Sequence, residues 1–101
     1  MINKRFFKTV DNCEVSFQVE PEDAEQVDLV IESNNWVPIP MAKLKSGPFK
    51  TRLRLPLNER FQFRYRVNGE RWINDETADD YVANEYGEEN SVVDTTPESE
   101  A

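Results

Sequence analysis

Apolar and polar side chains alternate along several separate stretches of this chain. Apolar residues occupy almost every second position in 13–19, 49–57 and 61–67. Because successive side chains of a strand point to opposite faces, this spacing predicts half-buried antiparallel strands with one wet face. Turn residues separate the stretches, and Asn68-Gly69 is the strongest hairpin signal. The alternation therefore constrains the chain to an all-β fold.

Further strands are predicted at about 4–9, at 26–32 and at 90–93, whereas the acidic segment 75–89 reads as an irregular loop with at most a helical turn. In the second of these strands, the spacing places Val27, Leu29 and Ile31 on one face. About seven to eight short strands separated by turns indicate an immunoglobulin-like antiparallel β-sandwich.

The length of 101 residues allows one domain with its own core. We expect this domain to span residues 1–94 and a disordered acidic tail to span residues 95–101. No apolar run is long enough to span a bilayer, and no secretory signal is visible. A cytoplasmic location without membrane partners is therefore expected.

The residue inventory removes several kinds of chemistry. The chain has no histidine, which excludes Ser-His-Asp and Cys-His nucleophilic schemes and the usual zinc sites. Its single cysteine, Cys13, cannot form an internal disulfide, and its place in the alternation favours a small core residue over a reactive thiol. The three glycines form no phosphate-binding loop. Neither a cofactor nor a metal is expected.

Charge is distributed unevenly along the chain. The net charge is −8 at pH 7, to which residues 1–67 contribute +2 and residues 68–101 contribute −10. This balance argues against a nucleic-acid partner, since such binding relies on cations that neutralise phosphates. The carboxylates between 75 and 80 lack EF-hand spacing, so we interpret the acidic third as solvated rather than as a calcium site.

Two tryptophans, Trp36 and Trp72, each lie beside a predicted turn. An indole combines an apolar face with a polar N–H, so an exposed pair would suit ligand binding, whereas a buried pair would cap the core. Arg64 lies on the polar side of its strand, where we expect it to face solvent. It is there either a ligand donor or the cross-strand partner of a carboxylate. The residues alone leave both alternatives open.

Motifs spread over the chain resemble one known family. They include Asn34-Asn35-Trp36, Pro48-Phe49, Leu53-Arg54-Leu55-Pro56, the run 61–72 and Asn84-Glu85-Tyr86-Gly87. Their order, from about Phe6 to Asp94, resembles the isoamylase early-set domains, that is, family 48 carbohydrate-binding modules. That family includes the glycogen-binding domain of AMP-activated kinase β subunits, and the chain is most similar to stand-alone bacterial proteins made of this domain. The resemblance implies an early-set β-sandwich that binds α-1,4-glucans such as glycogen or a maltooligosaccharide.

The family pattern also implies which residues contact sugar: Trp36, Arg64, Trp72, Tyr86 and Asn90. Arg64 stands where the kinase-type domains have lysine, and the hairpin before Trp72 is one residue longer than theirs. Ile31-Glu32-Ser33 replaces a run that often holds a glycine and an aromatic residue. Taken alone, Tyr86 also fits a core position, and Asn90 also fits a residue that bonds backbone at a turn.

Three functions follow from these observations. The first is a non-catalytic α-glucan-binding module, acting alone or recruited to a glycogen-metabolising enzyme. The alternative is a protein-interaction or regulatory module that kept the fold and lost sugar binding, with the acidic segment 70–89 contacting a basic partner. A small glycosidase is disfavoured, because no apolar pocket that would raise the pKa of a carboxyl is evident. The first function predicts that both indoles and Arg64 share one exposed face.

Overall fold

Two antiparallel sheets face each other across a shared apolar core in the computed structural model, which describes residues 1–7, 9 and 11–97. In chain order the strands are β1 (Ile2–Phe6), β2 (Asn12–Val19), β3 (Val27–Ile31), β4 (Ile39–Pro40), β5 (Ala42–Lys43), β6 (Phe49–Pro56), β7 (Arg60–Val67), β8 (Arg71–Ile73), β9 (Asp80–Ala83) and β10 (Glu89–Asp94). This arrangement is an immunoglobulin-like β-sandwich, which confirms the predicted fold class.

The two sheets differ in size. The first has the strand order β1-β2-β6-β5, and the second has the order β4-β3-β7-β10-β9. β8 also pairs with β7, over Tyr65–Val67, beyond the part of β7 that pairs with β10. The chain passes from the second sheet to the first around Met41, which is buried between β4 and β5. β7 is therefore the central strand on which the second sheet is assembled.

Alternation decides which side chains enter the core. Cys13, Val15 and Phe17 of β2 and Phe63 and Tyr65 of β7 are all fully buried. The rings of Phe17 and Phe63 meet edge to face with centroids 5.1 Å apart, which joins the two sheets. Burial raises the pKa of the Cys13 thiol, so Cys13 is the small core residue that the pattern predicts.

Strand β3 departs from the predicted alternation. All five residues from Val27 to Ile31 are buried, including Asp28 and Val30, which lie on the outer face of the second sheet. On that face Asp28 accepts a hydrogen bond of 3.0 Å from the Arg66 guanidinium in the opposite position of β7. The outer face of the second sheet is therefore partly covered, whereas the sequence pattern predicts a wet face.

The predicted number of strands is too low. The described residues form ten strands, and those that sequence patterning misses are the two-residue strands β4 and β5 and the four-residue strand β9. Every residue of β9 is exposed, and it lies within the acidic segment 75–89 that was expected to be a loop. β9 forms through backbone pairing with β10, so no apolar period marks it. The first strand also lies earlier than predicted and ends at Phe6.

Thr95, the first residue of the predicted tail, packs against the sandwich. Thr95 is fully buried, and its hydroxyl donates to the Pro56 carbonyl at 2.6 Å and accepts from the Glu59 amide at 3.1 Å. These bonds attach Thr95 to the turn between β6 and β7, so the packed domain includes it. Residues 98–101 of the predicted tail lie outside the described residues.

One buried carboxylate connects the core to the loop after β8. The Asp75 side chain is fully buried and accepts hydrogen bonds of 2.6 Å from the Tyr65 hydroxyl, 2.8 Å from the Thr77 amide and 2.6 Å from the α-ammonium of Met1. Burial by itself raises the pKa of Asp75, but these hydrogen bonds outweigh it and hold the pKa below its ordinary value. Burial, and then the bond to Asp75, raises the pKa of Tyr65.

Stability is expected to fall at both ends of the pH range because of this network. The lowered pKa of Asp75 means that its contribution is present above about pH 4 and is lost as pH falls through the folded value. The raised pKa of Tyr65 means that its contribution is present below about pH 10 and declines above it, because only the unfolded state ionises there. Urea unfolding at a series of pH values from below about 4 to above about 10 measures both changes in the free energy of unfolding. Asp75→Asn should flatten the acid side and Tyr65→Phe the alkaline side, and unchanged profiles in both variants would contradict the assignment.

Candidate functional site

A groove lies on the outer face of the second sheet. It has a volume of about 770 Å³, which is within the range of small-molecule sites. Ten residues line it: Val30, Trp36, Gln62, Arg64, Trp72, Asn84, Glu85, Tyr86, Glu88 and Asn90. The five residues that the family pattern singles out are all among them. We call this feature the outer groove.

The register of the β7–β8 hairpin places Trp72 in the outer groove. Trp72 lies opposite Arg66, so its side chain is on the outer face, together with that of Arg64 two residues earlier in β7. Asn68 and Gly69 both have positive φ, as the predicted tight hairpin requires. The longer turn thus leaves Trp72 on the expected face, where it is 44% exposed.

Arg64 packs beside Trp72 rather than extending into solvent. Its guanidinium carbon lies 5.8 Å from the centre of the Trp72 ring, within cation–π distance. Only 12% of the Arg64 side chain is exposed, so the expectation of a solvent-facing residue is wrong in degree, although the face is right. The outer side of the sheet is crowded here because the indole and the neighbouring hairpin stand over it.

A strained turn presents Trp36 at the other side of the outer groove. A single 3₁₀ turn, Glu32–Asn34, follows β3, and both Asn35 and Trp36 have left-handed φ angles of 56° and 62°. The Trp36 amide donates to the Ile31 carbonyl at 3.0 Å, which closes the turn. A bulky residue in this conformation is uncommon, and such strain is concentrated at functional sites. Trp36 is 42% exposed, so neither indole plugs the core.

The run before Trp36 holds the turn against the central strand. The Glu32 carboxylate accepts a hydrogen bond of 3.2 Å from the backbone amide of Gln62 in β7. This bond ties the Trp36 turn to the start of the central strand. The run Ile31-Glu32-Ser33 is therefore compatible with a fixed position for Trp36.

The β9–β10 hairpin supplies the third side of the outer groove. Asn84 organises it: its side-chain oxygen accepts from the amides of Tyr86 at 2.9 Å and Glu88 at 3.1 Å. Tyr86 projects from the tip of the hairpin and is 80% exposed, which excludes the core position that its sequence also fits. The hairpin therefore holds an exposed aromatic ring above the sheet.

Three side-chain amides connect that hairpin to the central strand. Asn84 Nδ2 donates to Asn90 Oδ1 at 3.1 Å, and Asn90 Nδ2 donates to Gln62 Oε1 at 2.9 Å. Asn90 thus bonds to side chains, not to backbone at a turn as one interpretation of the sequence expected. The amide chain fixes the floor of the outer groove and leaves amide groups beside the aromatic rings.

The charges in the outer groove are one cation and two anions. Arg64 donates to the Glu88 carboxylate at 2.9 Å, so it has a carboxylate partner and also lines the groove. Glu85 lines the same groove, and no ion pair involves it among the described residues. The groove therefore has an acidic rim around a compensated guanidinium.

Sequence reasoning missed half of the lining: Val30, Gln62, Asn84, Glu85 and Glu88. For two of these residues, the sequence pattern did indicate a position on the outer face of the sheet. Gln62 has the same parity as Arg64 in β7, and Val30 is an apolar residue on the side of β3 that faces away from the core. The other three lie in the hairpin that the sequence pattern assigns to a loop, so no periodicity placed them near the sheet.

At the level of fold, these observations define the class of protein as an immunoglobulin-like β-sandwich with an aromatic and polar groove on one sheet. A solved structure with a similar fold is the ferric enterobactin esterase from Salmonella typhimurium, with a TM-score of 0.73 and 13% identity. The match covers 93% of this chain and 34% of the esterase, so the chain spans about a third of that protein. At this identity the similarity shows the fold alone. No family model matches the sequence, and the search of curated proteins finds no match.

Two other kinds of feature are absent from the part of the chain that the structure describes. It contains no group of three or more His, Cys, Asp or Glu side chains placed to hold a metal ion. It also contains no helix of the length and apolar character needed to cross a membrane. Two indoles, the Arg64 guanidinium and three side-chain amides meet in the outer groove, which makes it the candidate functional site.

Proposed function

We propose that this protein is a non-catalytic α-glucan-binding module that takes glycogen or a maltooligosaccharide in the outer groove. The observation that carries the proposal is the gathering of two half-exposed indoles, Trp36 and Trp72, with Arg64 in one groove. Trp36 comes from the turn after β3, whereas Arg64 and Trp72 come from the β7–β8 hairpin. The family resemblance of the sequence names the same residues on independent grounds.

The chemistry of the outer groove suits a sugar. Pyranose rings have apolar C–H faces and polar rims, so indole faces and side-chain amides complement them together. The apolar Val30 lies under this surface, and Asn90 offers amide groups next to it. The amide chain from Gln62 to Asn84 organises these groups within the protein itself, which lowers the ordering cost of binding.

The expected affinity is modest. If a sugar ring covers ~60–80 Å² of each indole, burial contributes about 1.5–2 kcal/mol per tryptophan. Two such contacts with a few exposed hydrogen bonds, less ordering costs, correspond to about −4 to −8 kcal/mol, that is, micromolar to millimolar dissociation constants. A polymer with many binding sites, such as glycogen, would strengthen this binding through multivalency.

Binding without catalysis is part of the proposal. A glycosidase needs one carboxyl group whose pKa is raised by an apolar environment. In the outer groove, Glu88 is 60% exposed at its side chain and paired with Arg64, and Glu85 is exposed as well. We further propose a cytoplasmic location, with the protein acting alone or recruited to a glycogen-metabolising enzyme.

Titration with maltoheptaose tests the proposed function. Because both indoles of the protein lie in the outer groove, binding should change the intrinsic tryptophan fluorescence in a saturable way. A β-linked cello-oligosaccharide of similar length is the matched control, since it offers similar pyranose faces with a different chain curvature. Saturable binding of the α-linked chain with much weaker binding of the β-linked chain is expected. No saturable change with maltoheptaose, together with no retention on glycogen, would overturn the proposal.

A further inference from the structure

We infer that Glu88 makes the outer groove selective for uncharged glucans over anionic ones, because it neutralises Arg64. This inference rests on the proposed function, since it concerns the ligand class of the same groove. The Nη1 atom of the Arg64 guanidinium and the Oε1 atom of the Glu88 carboxylate lie 2.9 Å apart, and no other ion pair of Arg64 occurs among the described residues. Glu88 is therefore the residue that decides how much positive charge a ligand meets.

Arg64 and Glu88 are buried to different extents, and this difference determines the order in which a ligand meets the two charges. The Arg64 side chain is 12% exposed, whereas the Glu88 side chain is 60% exposed at the rim. The cation thus lies in the groove and the anion stands at its entrance. A ligand that enters passes the carboxylate first and reaches a guanidinium whose charge is already compensated.

Arg64 also lies where a bound ring would be. Its guanidinium carbon is 5.8 Å from the centre of the Trp72 ring, so a sugar that stacks on Trp72 comes close to it. An unpaired guanidinium there would attract a carboxylate or phosphate substituent on the sugar. With Glu88 in place, that attraction is offset by repulsion from the carboxylate that is paired with the same guanidinium.

The second carboxylate of the groove, Glu85, adds negative charge without contacting Arg64, so its effect on an anionic ligand should be weaker than that of Glu88. Glu85 lines the outer groove without an ion pair among the described residues, so the charged lining sums to one positive and two negative groups. The lining of the groove therefore has a net charge of −1. This negative charge does not affect the binding of neutral glucans, whereas it repels anionic saccharides and weakens their binding.

The test compares two ligands of equal length on three proteins. The ligands are maltoheptaose and maltoheptaose whose primary hydroxyls are oxidised to carboxylates. The proteins are the wild type, Glu88→Gln and the matched control Glu85→Gln, which removes the same charge from the same groove but leaves Arg64 paired. Dissociation constants are measured by tryptophan fluorescence at low and at high salt.

The wild type should bind the neutral chain at least about tenfold more tightly than the oxidised chain at low salt. Glu88→Gln should strengthen binding of the oxidised chain by about tenfold while changing the neutral chain by less than about threefold, and high salt should reduce this gain. Glu85→Gln should change the ratio of the two affinities by no more than about threefold. If Glu88 only supported the hairpin, Glu88→Gln would weaken the binding of both ligands equally and leave the ratio of their affinities unchanged.

Each contrary outcome has a definite meaning. Equal binding of the two ligands by the wild type would overturn the inference and leave sugar binding intact. An unchanged ratio in Glu88→Gln, or an equal change in Glu85→Gln, would remove the selectivity role from Glu88. If the wild type and both variants fail to bind neutral maltoheptaose, the proposed function fails and the inference fails with it.

Discussion

Replacement of both groove tryptophans by alanine should abolish measurable glucan binding. Trp36 and Trp72 are 42% and 44% exposed on the outer groove, so each presents an apolar face that a sugar ring can cover. Each single substitution should weaken binding by about 1.5–2 kcal/mol, or about 10- to 30-fold, and the double substitution by up to several hundredfold. Glycogen co-sedimentation and maltoheptaose titration measure the effect.

The design needs two controls. Phe6→Ala removes a comparably exposed aromatic residue, at 38%, from the edge strand of the other sheet, and it should leave binding unchanged. Because Trp36 has a left-handed backbone, Trp36→Asn serves as a second variant, since asparagine tolerates that conformation better than alanine does. Circular dichroism checks the fold of each variant. Full binding by both single tryptophan variants would exclude the outer groove as the site.

The Asp75→Ala substitution should cause the largest loss of stability among the polar residues, about 3 kcal/mol. The carboxylate is fully buried and accepts hydrogen bonds from the Tyr65 hydroxyl and the Thr77 amide. Its removal leaves the hydroxyl of a fully buried tyrosine without its partner and opens a polar cavity in the core. Urea denaturation, analysed for the free energy of unfolding, measures the loss.

The neighbouring acidic residue offers a matched control for that experiment. Glu76 is exposed and next in the chain, so Glu76→Ala should change the free energy of unfolding by no more than about 0.5 kcal/mol. Tyr65→Phe removes only the donor and should cost about 1 kcal/mol. A loss below about 1 kcal/mol for Asp75→Ala would show that the network is dispensable to the fold.

The long strands were predictable because their packing requirement is written in their own residues. β2 and β7 have one apolar face and one polar face, and that period appears in the sequence without reference to any other strand. β9 was not predictable on this basis, because all of its residues are exposed and its pairing with β10 uses backbone groups that every residue has. The strands β4 and β5 were not predictable either, because each is only two residues long and shows no alternation.

The outer groove was predictable in part. The alternation of β7 placed Arg64 on its polar face, and the family resemblance pointed to Trp36, Trp72, Tyr86 and Asn90. The length of the turn left the side of Trp72 open until the register was known. The amide chain and the Arg64–Glu88 ion pair were not visible in the sequence. Arg64 and Glu88 are 24 residues apart, and their contact depends on where the β9–β10 hairpin lies over β7.

The sequence by itself determined the fold class, the core faces of the main strands and the absence of histidine chemistry, because these follow from local alternation and composition. Only the tertiary structure decided that the turn after β3, the strand β8 and the β9–β10 hairpin stand around one groove. The physical reason is the pairing order β3-β7-β10-β9, with β8 also on β7. Backbone hydrogen bonds between distant segments set that order, and local side-chain periodicity does not encode which segments will meet.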